Sequence, residues 1–315
     1  MKMRYSVIVP VYNRPAEVDE LLGSLCKQTL KDFEVIVVED GSTEKSDTIC
    51  NQYKDRLDLK YYYKENTGPG PSRNYGAERS NGEWLIILDS DVIVPDDYLE
   101  NIQKELDREH CDAFGGPDRA HESFSPIQKA INYSMTSFFT TGGIRGGKQK
   151  MDKFYPRSFN MGIYRNVFKR VGGFDNIRYG EDIDLSTRLF EAGYICRLFP
   201  DAYVYHKRRV KFSSFFKQVK HSGEACVMLK RRYPDTFKLV HLLPAVFVLG
   251  NLLLVLLAIF HSWLWIIPIL IYILSVFIDS LIKNKSLKVA LLSIPAAYCQ
   301  LFGYGLGFIQ NIFKH

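Results

Sequence analysis

The stretch Trp84-Leu-Ile-Ile-Leu-Asp-Ser-Asp-Val92 is an apolar run that ends in two carboxylates one residue apart. The run predicts a buried strand, Trp84–Leu88, of the kind found in parallel sheets covered on both faces. Asp89 and Asp91 would then lie at the carboxyl edge of the sheet, where ligands bind in open α/β folds. Two such carboxylates suit Mg²⁺ or Mn²⁺ bridging a diphosphate. Taken alone, an Asp-x-Asp pair is also typical of a solvated surface turn.

Short β-branched runs alternate with helical patterns before this strand, which is the signature of a parallel sheet covered by helices. The other candidate strands are Ser6–Val11, Glu34–Glu39 and Leu59–Lys64. Between the first two, the segment Ala16–Leu30 carries an apolar stripe with helical spacing, and Pro15 suits its first turn. The predicted fold is α/β, a Rossmann-like, mostly parallel sheet flanked by helices.

The pattern loosens over residues 101–206. A helix is expected where Tyr98, Leu99, Ile102 and Leu106 share one face, and a second helix over Ile183–Ala192 would end at Gly193, which suits a left-handed cap. The glycine-containing stretch Thr140–Lys148 predicts a mobile loop. Loops over a rigid sheet often carry function.

Turn-forming and polar residues follow two more of the predicted strands. Val7-Ile-Val-Pro-Val-Tyr-Asn-Arg14 runs from a strand into a turn, and Val35-Ile-Val-Val-Glu-Asp-Gly-Ser42 ends in an acid followed by glycine. The turn-rich loop Asn66–Asn74 precedes a helix. We expect these segments to meet Asp89 and Asp91 at one sheet edge. In this order they resemble the family 2 glycosyltransferases, inverting enzymes of the GT-A fold that use nucleotide-sugar donors, over residues 4–206.

The resemblance implies roles for residues on the donor side. Pro10, Tyr12 and Asn13 would border the nucleoside, and Asp40 would contact the base. Arg73 would lie near the nucleotide. The implied donor is a nucleotide-diphosphate sugar, and UDP is the expected nucleotide.

The resemblance also implies a metal motif. Asp89 and Asp91 would hold Mg²⁺ or Mn²⁺, with Asp89 also near the nucleotide sugar. His206 ends an apolar strand-like run at a place where many family members have a histidine that binds metal or phosphate. A lone histidine is also often structural, so both readings of His206 stay open.

Three later segments match acceptor-side and catalytic elements of the family: Ser158-Phe-Asn-Met-Gly-Ile163, Val171-Gly-Gly-Phe-Asp175 and Gly180-Glu-Asp-Ile-Asp-Leu185. Asp182 is the position that matches the general base, which accepts the proton of the acceptor hydroxyl in a direct displacement. The acids of the third segment could equally be ordinary first-turn residues of a helix. The candidate acceptor-side residues are Asn160, Gly173, Asp175 and Glu181.

Charge is divided unevenly along the 315 residues, whose formal net charge is +6. Residues 1–206 contain 27 Lys and Arg against 32 Asp and Glu, whereas residues 207–315 contain 14 against 3. An acidic folded body argues against nucleic acid as a partner. A basic segment beside apolar helices favours membrane lipids instead.

Neither the cysteines nor the N-terminus point to secretion. The cysteines are scattered without a C-x-x-C pair, which argues for reduced thiols and against zinc. They are Cys26, Cys50, Cys111, Cys196, Cys226 and Cys299. The apolar run Val7–Tyr12 is too short for a signal-peptide core.

The C-terminal third reads as a membrane anchor. Residues 212–229 carry an apolar stripe with lysines away from it, which fits a helix in the membrane interface or a helix packed on the globular domain. Residues 239–260 and 263–282 are long enough to cross ~30 Å of hydrocarbon, and 291–313, which contains Gln300, is a weaker third span. Clusters of Lys and Arg at 207–238 and 283–288 place the catalytic domain in the cytoplasm, on a bacterial-type inner membrane.

The chain is accordingly divided into a nucleotide-sugar-binding half (1–100), an acceptor-binding and catalytic half (101–206), a basic amphipathic region (207–238) and a transmembrane region (239–315). The Gln-x-x-Arg-Trp pattern of processive synthases is absent from the sequence, so transfer of a single sugar is expected. The membrane anchor suggests a polyprenyl-linked glycan as acceptor. A membrane-bound nucleotidyltransferase and a non-catalytic nucleotide-sugar-binding scaffold remain as alternatives.

Overall fold

A computed structural model describes residues 4–121, 123–142, 154–177 and 179–314. Within these ranges the chain forms two compact units. The first is drawn from Met1–His121 and Met151–His206, and the second from Glu122–Lys150 and Lys207–His315. Residues 123–142 thus belong with the C-terminal third, which differs from the expected division at residue 206. Most of the stretch Thr140–Lys148, expected to be mobile, lies outside the described residues.

Two sheets form the centre of the first unit. The strands are β1 (Tyr5–Val11), β2 (Phe33–Asp40), β3 (Asp58–Lys64), β4 (Trp84–Leu88), β5 (Val92–Ile93), β6 (Ala113–Gly115), β7 (Asp118–Arg119), β8 (Asn160–Tyr164), β9 (Cys196–Leu198) and β10 (Val204–His206). The large sheet has the order β3-β2-β1-β4-β8-β6-β9, and the small one β5-β10-β7. In the large sheet β8 is antiparallel to both neighbours, while the remaining pairs are parallel. The predicted mostly parallel sheet is confirmed.

Helices cover this sheet and build the second unit. They are α1 (Pro15–Cys26), α2 (Asp47–Tyr53), α3 (Pro69–Glu78), α4 (Tyr98–Arg108), α5 (Pro126–Thr136), α6 (Phe138–Thr141), α7 (Arg165–Arg170), α8 (Glu181–Glu191), α9 (Phe212–Arg232), α10 (Leu243–Phe260), α11 (Ile267–Asn284) and α12 (Leu287–Ile312). Short 3₁₀ turns occupy Pro234–Thr236, Leu239–Leu242 and Trp263–Ile266.

The core of the first unit follows the predicted apolar runs. Every residue of β2 is buried, as expected for a strand with helices on both faces. The stripe of α1, formed by Val18, Leu21, Leu22 and Leu25, is fully buried against the sheet. Burying this apolar surface away from water stabilises the fold by about 25 cal/mol for each Å² buried, and it is the main force that holds α1 on the sheet.

Helix α1 ends four residues earlier than predicted. The side chain of Gln28 donates to the carbonyl of Pro95 at 2.6 Å and accepts from the amide of Leu99 at 3.0 Å. The amide of Thr29 donates to the carbonyl of Asp96 at 2.9 Å. In a continued helix the amide of Thr29 would donate to the carbonyl of Leu25, so its bond to Asp96, with the side-chain bonds of Gln28, directs the chain out of the helix after Cys26.

In the second unit, helix α9 buries one side against α12. Its buried residues include Phe215, Val219 and Leu229. Phe215 and Val219 share a cluster with Val289 and Ala296 of α12. The predicted helix is confirmed, and it packs on the third apolar segment; its placement in the membrane interface stays a prediction.

Three segments of the second unit are long and apolar enough to cross a membrane: Leu239–Phe260, Trp263–Asn284 and Leu287–Ile312. They correspond to the three predicted spans and suggest membrane association. The third segment is packed more extensively on other parts of the protein. In the most apolar 18 residues of each segment, 11% are buried in each of the first two and 44% in the third.

Candidate active site

Polar side chains gather where three neighbouring parallel strands end. Strands β2, β1 and β4 lie side by side in the sheet, so the residues after them share its carboxyl edge. Asp40 is the last residue of β2, Asn13 follows β1, and Asp89 follows β4. The convergence expected from the sequence is therefore present.

Asp40 is buried and holds the loop in front of α3. One carboxylate oxygen accepts from the amide of Thr67 at 2.9 Å, and the other accepts from the amide of Gly68 at 2.9 Å. The ammonium group of Lys64 also contacts this carboxylate. Asp40 thus fixes the start of this loop, and its contact with the base of a nucleotide stays a prediction.

Asn13 joins the ends of β1 and β2. Its backbone is in the left-handed region, with φ at 52°, which asparagine adopts more readily than most residues. Its side-chain oxygen accepts from the amides of Thr43 at 2.8 Å and Glu44 at 3.0 Å. The preceding Tyr12 is 53% exposed, so its ring is open to a planar ligand, and Pro10 lies within β1.

Asp89, Asp91 and His206 form a cluster in which one possible ligand atom from each side chain lies within 4.8 Å of the others. Nε2 of His206 is 3.2 Å from Oδ1 of Asp91, and Arg14 contacts the other oxygen of Asp91. The three residues named from the sequence are therefore adjacent.

Strand pairing explains how a histidine 115 positions after Asp91 reaches it. Strand β10 pairs antiparallel with β5, and His206 stands opposite Val92 in that register. The ring stacks on Phe159 with centroids 5.0 Å apart. Its buried Nδ1 has no hydrogen-bond partner among the described residues. Two carboxylates and an imidazole with an unsatisfied nitrogen fit a divalent cation such as Mn²⁺ or Mg²⁺.

Arg73 links this cluster to the start of α8. The side chain is 3% exposed, and it donates to Asp89 and to Glu181, at 2.8 Å in each case. The guanidinium lies 5.2 Å from the ring centroid of Phe174. Burial opposes the charged form, but the charges of Asp89 and Glu181 outweigh it and raise the pKa of Arg73. Arg73 is therefore a fixed cation between two acidic segments.

Glu181 and Asp182 open helix α8 and each faces a different arginine. Burial and the adjacent Asp182 raise the pKa of Glu181, and Arg73 opposes that rise. Oδ2 of Asp182 accepts from Nε of Arg157 at 2.6 Å, and Oδ1 accepts from the amide of Ile183 at 2.8 Å. Asp182 is thus both a first-turn residue and a carboxylate held by a partner from another segment.

The loop before α8 is fixed by Asn74 and Arg188. Asn74 accepts from the amide of Phe174 at 2.9 Å and donates to its carbonyl at 2.8 Å. Gly173 has φ at 66°, and a Cβ there would lie 2.6 Å from Oδ1 of Asn74, so only glycine fits. Arg188 donates to the carbonyl of Gly173 at 2.7 Å and also contacts that of Val171.

Residues 6–172, more than half of the chain, match the sequence model of the family described as Glycosyl transferase family 2. The chain belongs to glycosyltransferase family 2. Validoxylamine A glucosyltransferase of Streptomyces hygroscopicus subsp. jinggangensis is 40% identical over 218 residues, 60% of this chain and 51% of that protein. A glycosyltransferase of Rickettsia typhi is 31% identical over 57% of this chain and 56% of its own length. The chain thus spans about half the length of these relatives.

A solved structure of similar fold covers nearly the whole chain. The mannosyltransferase PcManGT of Pyrobaculum calidifontis, in complex with GDP-Man and Mn²⁺, superposes with a TM-score of 0.66 at 20% identity, over 96% of this chain and 88% of its own. The similarity supports the GT-A fold expected for a family 2 member.

The candidate acceptor residues of this family 2 chain are unevenly placed. Glu181 and the loop of Gly173 and Asp175 adjoin the acidic edge through Arg73 and Phe174. Asn160 is fully buried, accepts from the hydroxyl of Tyr98 at 2.7 Å and donates to the carbonyl of Ala202 at 2.8 Å. Its amide therefore holds the fold together, and its assignment to the acceptor stays a prediction.

Sequence reasoning singled out Arg73 but gave no role to Arg14 or Arg157, which also pair with the acids. Arg14 is the last residue of the quoted segment Val7–Arg14, and Arg157 stands directly before the segment Ser158–Ile163. A buried carboxylate needs a cation or donors, which is the signal that could have flagged them. The sequence around each arginine does not show which acid it contacts in the fold.

Proposed function

We propose that this chain is a membrane-anchored, inverting glycosyltransferase that moves one sugar from a nucleotide-diphosphate sugar to an acceptor hydroxyl. The observation that carries the proposal is the meeting of Asp89, Asp91 and His206 at the carboxyl edge of the sheet, linked by Arg73 to the acids of α8. Membership in family 2 sets the reaction class.

The donor we propose is a UDP-sugar. The poly(ribitol-phosphate) beta-N-acetylglucosaminyltransferase TarS of Staphylococcus aureus, which has a similar fold, has been solved in complex with UDP-GlcNAc. On this chain, the open ring of Tyr12 and the loop held by Asp40 would receive the nucleoside. Arg73 and Arg14 supply fixed positive charge beside the place where a diphosphate would lie.

The cation we propose, Mg²⁺ or Mn²⁺, would be held by Asp89, Asp91 and His206. When bound, it would neutralise negative charge that develops on the leaving diphosphate. Arg14 already contacts Asp91 and Arg73 donates to Asp89, so both carboxylates are oriented by protein charges.

Asp182 is our candidate for the general base. Its carboxylate would take the proton of the acceptor hydroxyl while that oxygen bonds to the anomeric carbon. The bond from that carbon to the diphosphate oxygen breaks at the same time, and its electron pair leaves with the nucleotide. Attack opposite the leaving group inverts the configuration. Arg157 orients the carboxylate through the 2.6 Å bond.

The acceptor we propose is a polyprenyl-linked glycan intermediate of cell-surface polysaccharide synthesis. Its support is the membrane anchor, because an enzyme held at the bilayer meets lipid-linked acceptors without diffusion through bulk water. Cytoplasmic placement of the active site rests on the Lys and Arg clusters that flank the apolar helices.

The test is diphosphate release from a panel of UDP-, GDP- and TDP-sugars by the full chain in detergent, with Mn²⁺ or with EDTA. We expect release of UDP from one donor, and we expect EDTA to abolish it. Failure of the folded protein to bind or turn over any nucleotide sugar in the presence of Mn²⁺ would contradict the proposal.

A further inference from the structure

Helix α12 meets the pair α10 and α11 at one end of that pair. We call α10 and α11 the hairpin, the His261-Ser262 turn its tip, and the end formed by Leu243 and Asn284 its open end. Ser293 of α12 is hydrogen-bonded to Ser280 of α11 at 2.7 Å. Further along α12, a Cβ on Gly305 would lie 2.5 Å from the carbonyl oxygen of Pro244.

Both contacts lie at the open end, although they are far apart on α12. Pro244 is in the first turn of α10, and Ser280 is in the last turns of α11. Ser293 and Gly305 are separated by about 18 Å at 1.5 Å per residue. A helix that crossed the membrane beside α11 would keep approaching the tip, whereas α12 comes nearest to it at Tyr298, whose ring lies 5.8 Å from that of Tyr272, and has returned to Pro244 at Gly305. Helix α12 therefore lies across the open end.

Burial along the hairpin agrees with this arrangement. The buried residues of α10 are Ala245 and Val248, and those of α11 are Val276 and Ser280, all towards the open end. Large apolar side chains are exposed along the whole hairpin, but none of the described residues in its tip half is buried. The tip half thus presents the surface that suits lipid tails, with tryptophans where a membrane interface favours them.

Helix α9 runs along α12 at backbone contact. A Cβ on Gly223 would lie 2.1 Å from the carbonyl oxygen of Tyr304, and a Cβ on Gly307 would lie 2.1 Å from that of Lys220. At their C-terminal ends, the guanidinium of Arg231 donates to the carbonyls of Asn311 at 3.1 Å and Ile312 at 3.3 Å. The two helices therefore lie side by side along this stretch, and any membrane must hold both at the same depth.

The charges of α9 limit how deep in a bilayer the two helices can lie. The helix carries five cations within 16 residues: Lys217, Lys220, Lys230, Arg231 and Arg232. A Lys or Arg side chain at the centre of a bilayer is costly and therefore rare there. Five would cost far more than the apolar face of α9 returns, so α9 and the part of α12 beside it cannot occupy the hydrocarbon centre.

We infer that α12 does not cross the membrane. It lies with α9 at the cytoplasmic interface, across the open end of the hairpin, where the cations of α9 meet anionic lipid headgroups. Of the three apolar segments in the described part of the chain, only those of α10 and α11 span the bilayer. Residues after α12 are then on the same side of the membrane as the start of α9, with Lys285 and Lys288 at one end of α12 and Lys314 at the other.

The test is the sidedness of the residues after α12. The full chain is fused at its C-terminal end either to green fluorescent protein, which becomes fluorescent in the cytoplasm, or to alkaline phosphatase, which becomes active only outside it. We expect the fluorescent fusion to be bright and the phosphatase fusion to be inactive. An active phosphatase fusion with a dark fluorescent one would overturn the inference.

An epitope tag keeps the test decisive if either fusion folds poorly. The tag is placed after residue 315 of the full chain, and a matched control carries the same tag between His261 and Ser262. Protease added to spheroplasts should spare the C-terminal tag and remove the control tag, and inside-out vesicles should give the reverse. Removal of the C-terminal tag in spheroplasts would mean that α12 crosses the membrane.

Discussion

Two acids in the first turn of α8, Asp182 and Asp184, pair with arginines in different surroundings. Asp182 and Asp184 are two residues apart, both are buried, and each accepts a hydrogen bond from an arginine. Asp184 pairs with Arg188 of its own helix, whose other donors hold the carbonyls of Val171 and Gly173. Asp182 pairs with Arg157 from a separate segment, whose side chain is 37% exposed.

The difference shows that burial and an ion pair do not by themselves identify a functional acid. The arginine of Asp184 is committed to the backbone of the loop that ends at Asp175, so that pair builds the scaffold. The arginine of Asp182 reaches the acid from the solvent-accessible side. We expect the Asp182 pair to control turnover and the Asp184 pair to control stability.

The largest expected effect is on turnover in Asp182→Asn. An amide cannot accept the acceptor proton, so transfer should fall by roughly 10³-fold, within the range of a general base. The melting temperature, followed by tryptophan fluorescence, should stay close to that of the unchanged protein. Transfer is measured as sugar incorporated into acceptor. Full turnover in this variant would show that Asp182 is not the base.

Asp184→Asn should lower stability and leave turnover nearly unchanged, the reverse of what we expect for Asp182→Asn. It leaves the guanidinium of Arg188, whose side chain is 20% exposed, without its fully buried carboxylate partner, which costs about 3 kcal/mol of the free energy of unfolding. The midpoint of urea unfolding should drop, while molecules that remain folded should transfer sugar at nearly the original rate. An unchanged midpoint together with lost activity would place Asp184 in the catalytic machinery.

Replacing either arginine by glutamine tests the same contrast between the Asp182 and Asp184 pairs, with a smaller expected effect on turnover and stability. Arg157→Gln should lower turnover by about tenfold, because a charge-assisted hydrogen bond to the base is lost, and should leave the urea midpoint unchanged. Arg188→Gln should lower the midpoint and leave turnover of the folded fraction unchanged. If both variants lost only stability, Arg157 would be a scaffold residue like Arg188.

A third buried acid, Glu34, allows the structural role of such acids to be tested through the pH dependence of stability. Burial disfavours its charged form, but donors from Lys60, Ser6 and Asn81 outweigh burial and lower the pKa of Glu34 below 4.5. Stability from this group is present above pH 4.5 and is lost as the pH falls through the lowered value. Glu34→Gln should therefore flatten the acid side of the stability curve, whereas Glu44→Gln, at an exposed position, should leave it unchanged. Equal curves would contradict this role.

Local patterns in the sequence were enough to predict the sheet, its helices and the acids at its edge. The strand Trp84–Leu88 was predicted to the residue, because a short apolar run that ends abruptly at acids marks both its buried extent and its end. Long-range pairing could not be predicted. His206 reaches Asp91 through the register of β10 on β5, and Arg157 reaches Asp182 from a segment with no pattern of its own.

The C-terminal third shows the same limit. Composition predicted three apolar helices, and three are present among the residues that the structure describes. Length and hydropathy cannot tell a helix that faces lipid from one that packs on protein, because both are apolar. The glycines of α12 hinted at close packing, but only the structure shows that α9, with its cations, is the partner.

The measurement that tests the central claim most directly is calorimetric binding of UDP in the presence of Mn²⁺ to three full-length proteins: the unchanged chain, Asp182→Asn and Asp91→Asn. We predict that Asp182→Asn binds UDP as tightly as the unchanged chain while its transfer is lost, and that Asp91→Asn binds roughly 10- to 100-fold more weakly. Equal binding by all three proteins would contradict the assignment of Asp91 to the metal, and loss of binding in Asp182→Asn would contradict its role as base.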